Sequence, residues 1–587
     1  MCGIAGIISK TAAPVSTEQL QSMANCLVHR GPDDQGMYVQ DGFGIVHTRL
    51  SIIDLKGGHQ PLHNDSGTLL VGNGEIYNYQ ELAKDVPPTT QTYSNSDFEP
   101  VVHLFHQNRE DVIRQLRGMY GLAVLCPLQS KITLSRDPFG IKPLYLYEDE
   151  KIVAFASEPK SFFTAGLLNP EIDPISRAEL LNLNYSSGQH TLYKSIRRLL
   201  PGETLTITRK GIESSNKHTP VSPSESRDAK DFDGLLSDFD KLFEETVDIH
   251  QRSDVPYGMF LSGGIDSSAI LTMMARLNDS PVTTFTCGFE GSQVHDEREA
   301  AQKVAKSLGA EYNETLFGES DFWSSLYKIA KAFDDPCLDY AILPTYKLAK
   351  MAKDSGLKVI LSGEGGDELF AGYGRYRAAA RPWWLFGKPM RLKGMFEKHD
   401  FSQKWAWKDR MQSLYDEAKT FKSWSRVKQA QYVDIHGWLP ADLLLKLDRC
   451  LMAHSVEGRT PFLDPVLGDF AFNLPDSAKI QGKFGKYLLR KWLQQHCPAA
   501  EAFGKKKGFT VPVGQWIYAR REKILGTLHD LPCTREIFSK DELNDIFSDS
   551  SAKSGRKAWS ILFYSLWHQV HMEGLKENDS KLAYLHG

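Results

Sequence analysis

The sequence predicts an α/β multidomain chain with a strand-rich N-terminal half and a C-terminal half built on a parallel sheet. Three observations carry that prediction. Residues 1–205 hold many short, β-branched, alternating runs broken by Gly, Pro and Asp turns. Residues 211–231 are rich in Ser, Pro, Lys and Asp and read as a linker, bounded here as 206–234. Beyond it, helical periodicity alternates with short apolar strands, the pattern of a parallel sheet covered on both faces. At 587 residues the chain is long enough for two or more cores.

In the first half, strands are expected over 68–71, 121–126, 131–135, 144–148 and 152–157, with helices over 17–27, 99–107 and 177–181. In the second half a helix over 235–252 precedes a strand over 257–261. A Gly turn, a helix over 268–277, a strand over 282–289, a helix over 297–308 and a strand over 358–361 follow. The remainder reads as a mostly helical extension, and no internal repeat is visible. His103 and His106, at helical spacing, read as ordinary helix-face residues.

Composition excludes several classes. Aromatic content of 11% is too high for a disordered or fibrous chain. A net charge of −4 gives no nucleic-acid footprint. The eight cysteines are dispersed with no CxxC pair, which argues against a disulfide framework or a zinc site. No apolar run approaches the roughly 18–20 residues that span a bilayer. The N-terminus lacks the basic and apolar regions of a secretory signal, so a reducing cytoplasm is the expected location.

Two loops carry phosphate chemistry. Ser262-Gly263-Gly264-Ile265-Asp266-Ser267-Ser268 sits where a strand turns into a helix. Its glycines let the backbone approach an anion, and the helix start offers free N–H groups and a positive dipole end. Without a Lys after the glycines it is not a Walker A loop. Asp266 would repel phosphate unless a cation lay between them, which points to Mg²⁺. Leu361-Ser362-Gly363-Glu364-Gly365-Gly366-Asp367-Glu368-Leu369-Phe370-Ala371-Gly372-Tyr373 again follows a strand, and Asp367 offers a second carboxylate. Each loop alone also fits a plain strand–helix turn; two at strand ends of one α/β unit argue for a site.

Cys2 stands next to the initiator, and Met before a small residue is commonly excised. A thiol and a free α-amine would then share one residue, the amine serving as proton acceptor. Taken alone, Cys2 also fits a small buried residue of a first strand. Arg49 could fork onto a carboxylate, and Asp97 could pair with an ammonium, although each also reads as a surface charge. Asn73-Gly74-Glu75 could offer a side-chain amide and a backbone N–H to an oxyanion. Together these describe an amino-acid amide hydrolase.

Along most of its length the sequence resembles the glutamine-dependent asparagine synthetases. The resemblance rests on Met1-Cys2-Gly3-Ile4-Ala5-Gly6, Arg30-Gly31-Pro32-Asp33-Asp34, Arg49-Leu50-Ser51-Ile52-Ile53-Asp54, Gly58-His59-Gln60-Pro61, Asn73-Gly74-Glu75-Ile76-Tyr77-Asn78 and Ser135-Arg136-Asp137-Pro138-Phe139-Gly140. In the second half it rests on the two loops above and on Arg459-Thr460-Pro461-Phe462-Leu463-Asp464.

The resemblance implies an N-terminal αββα glutaminase sandwich over 2–205. It implies a Rossmann-like ATP-pyrophosphatase domain with a helical extension over 235–587. It makes Cys2 the nucleophile that releases ammonia, with Asn73 and Gly74 at the oxyanion. Glutamine contacts then fall on Arg49, Asn73, Glu75 and Asp97. ATP contacts fall on Leu261, Ser262, Gly263, Gly264, Asp266, Ser267, Ser268, Cys287, Ser362 and Gly363, and Mg²⁺ on Asp266 and Asp367. Lys486, in Lys486-Tyr487-Leu488-Leu489-Arg490, matches the lysine that stabilises phosphate charge, and Glu364 is the candidate base for incoming ammonia. The implied partners are glutamine, ATP and aspartate, joined by an enclosed path for ammonia; a homodimer is left open.

Three departures bear on the acceptor. Asp334-Asp335-Pro336 stands where members often have Asp-Glu-Pro. Gly458 replaces a common Ala or Val. Segment 375–426 is basic and aromatic, with Trp383, Trp384, Phe386, Trp405 and Trp407. The segment reads first as an amphipathic helical insert with a solvated face, and second as a pocket adapted to a larger acceptor. The alternatives to aspartate amidation are amidation of a carboxylate on a sugar, peptide or secondary metabolite, a silent scaffold, and an amidase with an ATP-sensing domain.

Overall fold

The computed structural model describes residues 2–11, 13–108, 110–221, 231–290, 297–382, 384, 387, 392–404, 406–504, 511–549 and 551–585, with backbone alone at 106–108, 110 and 583. Met1, part of the expected linker (222–230), Trp383, Phe386, Trp405 and the His106 side chain lie outside that description.

The N-terminal half is a sandwich of two antiparallel six-stranded sheets. One runs in the order Ile196–Arg198, Tyr145–Glu148, Ile152–Ala156, Gly3–Ser9, Phe43–Arg49, Asp34–Gln40. Along Gly3–Ser9 the pleat sorts side chains by face. Ile4 and Ile8 join Phe43, Ile45, Val71 and Leu134 between the sheets, while Ala5 and Ile7 pack outward on Leu20, Met23 and Leu27. Those three lie on helix Thr17–Leu27, whose buried stripe is Leu20, Met23, Ala24 and Leu27 and whose first turn is capped by Ser16 accepting Gln19 N–H at 3.2 Å. On the other side, helix Glu99–Asn108 lays Val101, Val102 and Phe105 on Leu70, Leu122 and Val124 of the second sheet. The layers are therefore helix, sheet, sheet, helix.

The second sheet extends further than its sequence suggests. Strands Glu203–Thr208 and Gly211–Lys217 form a hairpin at its edge, so residues 206–217 are not linker and this unit runs to Lys217 rather than 205. The reason is local: Glu213, Ser214, Ser215, Asn216 and Lys217 face solvent on an edge strand, where polar side chains block further pairing. That composition is indistinguishable from a linker's.

The C-terminal half holds a five-stranded parallel sheet. In chain order its strands are Tyr257–Phe260, Thr283–Phe289, Glu311–Phe317, Val359–Leu361 and Glu457–Arg459. In space they run third, second, first, fourth, fifth. Sequence reasoning finds the first, second and fourth. The third is missed because it is a polar edge, Glu311-Tyr312-Asn313-Glu314; the fifth because its three residues, Glu-Gly-Arg, carry buried ions instead of apolar side chains. Helices Phe232–His250 and Ile265–Leu277 cover one face with Phe239, Phe243, Ile270 and Met274.

The two halves share their apolar cores: Leu50, Ile52, Tyr77 and Phe139 of the sandwich pack in one cluster with Phe243, Leu261, Phe462 and Leu467. A buried charge network fixes the register of this docking. Arg30 donates to Asp448 through both Nη atoms, at 2.8 and 3.0 Å, and to Glu158 at 2.8 Å. Arg449 reaches Glu158 at 3.0 Å and Asp334 at 2.9 Å. Arg198 and Tyr145 both reach Asp335, at 2.6 and 2.9 Å, and Lys142 Nζ donates to Gly458 O at 3.3 Å. Asp334, Asp335 and Gly458 thus serve the domain interface. Described residues of segment 375–426 make packing contacts. Arg375 lies over Trp438 and pairs with Asp434, Trp407 is buried, and Phe396 and Ser402 hydrogen-bond Asn182 of the sandwich.

Candidate active site

Two sites emerge, one in each half. In the first, Gly3 pairs with Thr48, so the next register position sets Cys2 opposite Arg49. Cys2 is buried, and its nitrogen lies 3.1 Å from Asn73 Oδ1 on the facing sheet. Burial pushes the Cys2 thiol up, against a main-chain hydrogen bond from Leu50. Asn73 Nδ2 is buried without a hydrogen-bond partner. An orphan donor of this kind costs about 1–3 kcal/mol, and it belongs to the same amide whose oxygen holds the Cys2 nitrogen. Gly74 has φ +144°, and a Cβ there would stand 1.8 Å from Met119 O, so no other residue fits.

Asp97 accepts Ile76 N–H at 2.7 Å, and burial raises its carboxyl to about 6. Burial, with Asp97 and Glu457 nearby, holds Glu75 well above the usual carboxylate range. Arg49 Nη2 donates to Ile53 O at 3.1 Å and Asp54 O at 2.6 Å. Cys2, Arg49, Asn73, Gly74, Glu75 and Asp97 are thereby brought to one end of the sandwich. Sequence reasoning assigns no role to Arg30, whose Nε donates to Cys2 O at 3.1 Å, or to Arg459, 3.4 Å from Glu75. Both lie in motifs quoted above, which was the only signal available.

The second site lies at the point where strand order reverses, between Tyr257–Phe260 and Val359–Leu361, the usual ligand crevice of such sheets. A cleft of about 280 Å³ opens there, lined by Leu261, Ser262, Asp266, Ser267, Cys287, Ser362, Gly363, Glu364, Asp367 and Lys446 among others. Gly263 has φ +67° and would meet Ala301 N at 2.8 Å with a side chain. A Cβ on Gly363 would stand 2.9 Å from Asp266 Cβ and 3.1 Å from Ser267 N, so the two loops face each other in contact. Helix Ile265–Leu277 starts at this junction with Gly264 as its cap. Ser268 is different: it is fully buried, its N–H is taken by Gly264 O, and it does not line the cleft.

Lys486 opens helix Tyr487–His496 from a left-handed backbone, φ +55°. Its ammonium contacts both Asp266 and Asp367, the latter at 2.6 Å. Gly372 makes room, since a Cβ there would hit Asp367 and Lys486 Cε. Glu364, its carboxyl raised by burial, lies 3.9 Å from Lys446, which also holds Asp339 at 3.1 Å. Among the described residues no set of three or more His, Cys, Asp or Glu could cage a metal. A cation here would rest on Asp266, Asp367 and ligand oxygens. These two carboxylates already bracket one positive charge, and hard oxygen donors suit Mg²⁺. One helix, Leu444–Met452, joins the two sites: Lys446 and Leu447 line the cleft, while Asp448 holds Arg30 beneath Cys2.

Comparison with known proteins gives two matches along the chain. The family described as Asparagine synthase matches residues 238–569, and the Glutamine amidotransferase domain matches residues 1–218. Asparagine synthetase [glutamine-hydrolyzing] 1 of Bacillus subtilis (strain 168) is 33% identical, over 98% of this chain and 97% of its own. A putative asparagine synthetase [glutamine-hydrolyzing] of Mycobacterium bovis is 30% identical, over 98% of each. Asparagine synthetase B [glutamine-hydrolyzing] of Escherichia coli (strain K12) is 28% identical, over 89% of this chain and 84% of its own. No helix among the described residues is long and apolar enough to cross a membrane.

Replacing Lys486 with Met should leave two carboxylates facing each other without their cation. We expect a lower thermal midpoint without ligand, recovered in part by adding Mg²⁺. A midpoint indifferent to Mg²⁺ would contradict Asp266 and Asp367 as one cation site.

Proposed function

The chain belongs to the glutamine-hydrolysing asparagine synthetases, and we propose that the Cys2 thiol and the cleft at the sheet's switch point are the two catalytic centres of that activity. The enzyme is a carbon–nitrogen ligase that converts aspartate to asparagine with nitrogen from glutamine, using ATP as a substrate. The observation that carries the assignment of the first centre is the unspent, buried Asn73 Nδ2 donor beside Cys2.

At the first centre, loss of Met1 would leave an α-amine on Cys2. That amine takes the thiol proton, and the thiolate attacks the glutamine amide carbon. Asn73 Nδ2 and the Gly74 N–H receive the oxyanion. The same amine then returns its proton to the departing ammonia, and water hydrolyses the glutamyl thioester left on Cys2, releasing glutamate and restoring the thiol. Asp97, with Glu75, faces the substrate ammonium, and Arg49 faces its carboxylate.

At the second centre, loop 262–267 and the start of helix Ile265–Leu277 receive the ATP phosphates, with Leu261, Cys287, Ser362 and Gly363 along the nucleotide; Ser268, buried away from the cleft, takes no part. Mg²⁺, when bound, supplies charge neutralisation between Asp266, Asp367 and phosphate oxygens. The aspartate carboxylate attacks the α-phosphorus, forming an acyl-adenylate and releasing pyrophosphate, whose growing charge Lys486 meets. Ammonia then attacks the acyl carbon, Glu364 takes a proton and AMP leaves. The interface positions of Asp334, Asp335 and Gly458 favour no other acceptor. Eight free cysteines fit a reducing compartment such as the cytoplasm.

Cys2→Ala should abolish asparagine formation from glutamine yet preserve it from added ammonium; loss of both contradicts two separate centres. A pH profile tests the ammonium clamp. Asp97 is charged above about 6 and neutral below it. The kcat/KM for glutamine should therefore fall about tenfold per pH unit below that point. In Asp97→Asn this inflection should vanish; its persistence would assign it to another group.

A further inference from the structure

One residue touches both centres. Arg459 ends the fifth strand of the parallel sheet and is fully buried. Its main-chain carbonyl accepts Ser362 N–H at 2.8 Å, which pins the start of the second serine-glycine loop. Its side chain crosses the domain interface. There Nη2 stands 3.4 Å from Glu75 Oε1, next to Gly74.

The other arms of the guanidinium are tied down. Nη1 donates to His250 O at 2.9 Å and Arg252 O at 2.7 Å, and Nε donates to Glu457 at 2.6 Å. Nη2 makes no hydrogen bond, so its link to Glu75 is ionic only. It is the one arm whose partner can change without breaking a hydrogen bond.

We propose that Arg459 is a positioning residue that couples glutamine binding at the first centre to nucleotide binding at the second. The inference rests on the two-centre reading above. Glu75, Asp97 and Glu457 crowd three carboxylates around one guanidinium. A substrate ammonium reaching Glu75 and Asp97 shares the carboxylate charge that Arg459 faces in the free enzyme. Any shift of the guanidinium acts on the same residue's carbonyl, and through it on Ser362 at the nucleotide loop. Coupling of this kind is reciprocal: each ligand changes the other's affinity by the same factor.

Calorimetric titration of the full-length Cys2→Ala enzyme tests this, because glutamine then binds without being consumed. Glutamine dissociation constants are measured with and without saturating MgATP, and MgATP constants with and without glutamine. Each ligand should tighten the other by at least about fivefold, by equal factors. Adding Arg459→Lys, which shortens the fork, should bring both factors close to one while each ligand still binds. Adding Glu457→Gln, which removes the charge facing the Nε arm of Arg459 and touches neither ligand, should move both factors the same way, and it decides the matter if the lysine variant does not fold. Independent binding in the Cys2→Ala enzyme, or full coupling retained in the variants, overturns the inference alone. Failure of glutamine or MgATP to bind at all overturns the two-centre reading, and the inference with it.

Discussion

The arrangement depends on the buried guanidinium–carboxylate network between the halves. Arg30 and Glu158 come from the sandwich; Asp448, Arg449 and Asp334 come from the synthetase half. The apolar surfaces shared across this boundary are non-directional and would tolerate sliding. Fully desolvated ions would not, because removing one partner strands the other at a cost of about 3–5 kcal/mol. The network therefore acts as a register device. It sets Asp448 against Arg30, Arg30 against the Cys2 carbonyl, and Lys446, on the same helix as Asp448, in the cleft with Glu364. The position of one reactive centre relative to the other follows from that chain of contacts.

Both centres keep features a purely structural site would lose. Asn73 Nδ2 has no partner, Lys486 holds a left-handed backbone, and Glu75 and Asp97 are carboxylates pushed together out of water. Each lowers stability by itself, and each makes sense once a substrate is considered. In the proposed reading the amide receives an oxyanion and the carboxylates an ammonium. Lys486 holds its charge between Asp266 and Asp367.

Local chemistry was legible in the sequence wherever it was sufficient. Helix Thr17–Leu27 follows from its apolar spacing, and the strand–loop–helix around Ser262 from two glycines between a strand and a helical stripe. Contacts made between distant segments were not legible. Gly211–Lys217 is a strand only because Glu203–Thr208 lies beside it. Glu457–Arg459 is one only because ion pairs replace apolar burial at that edge. Asp335, a departure from the family pattern that bears on the acceptor, pairs with Arg198 from the other half. Nothing local to either residue encodes that pairing. Ser268 shows the converse: it belongs to the loop motif, yet helix geometry turns it away from the cleft.

If docking holds the two centres in register, nitrogen passes between them inside the protein. The direct measurement supplies glutamine carrying a heavy-nitrogen label in its side-chain amide, together with excess unlabelled ammonium, and follows the label in the asparagine formed. With Cys2 and the cleft held in register, the product should keep the label almost undiluted. Asparagine diluted to the isotopic composition of the surrounding ammonium would contradict the account.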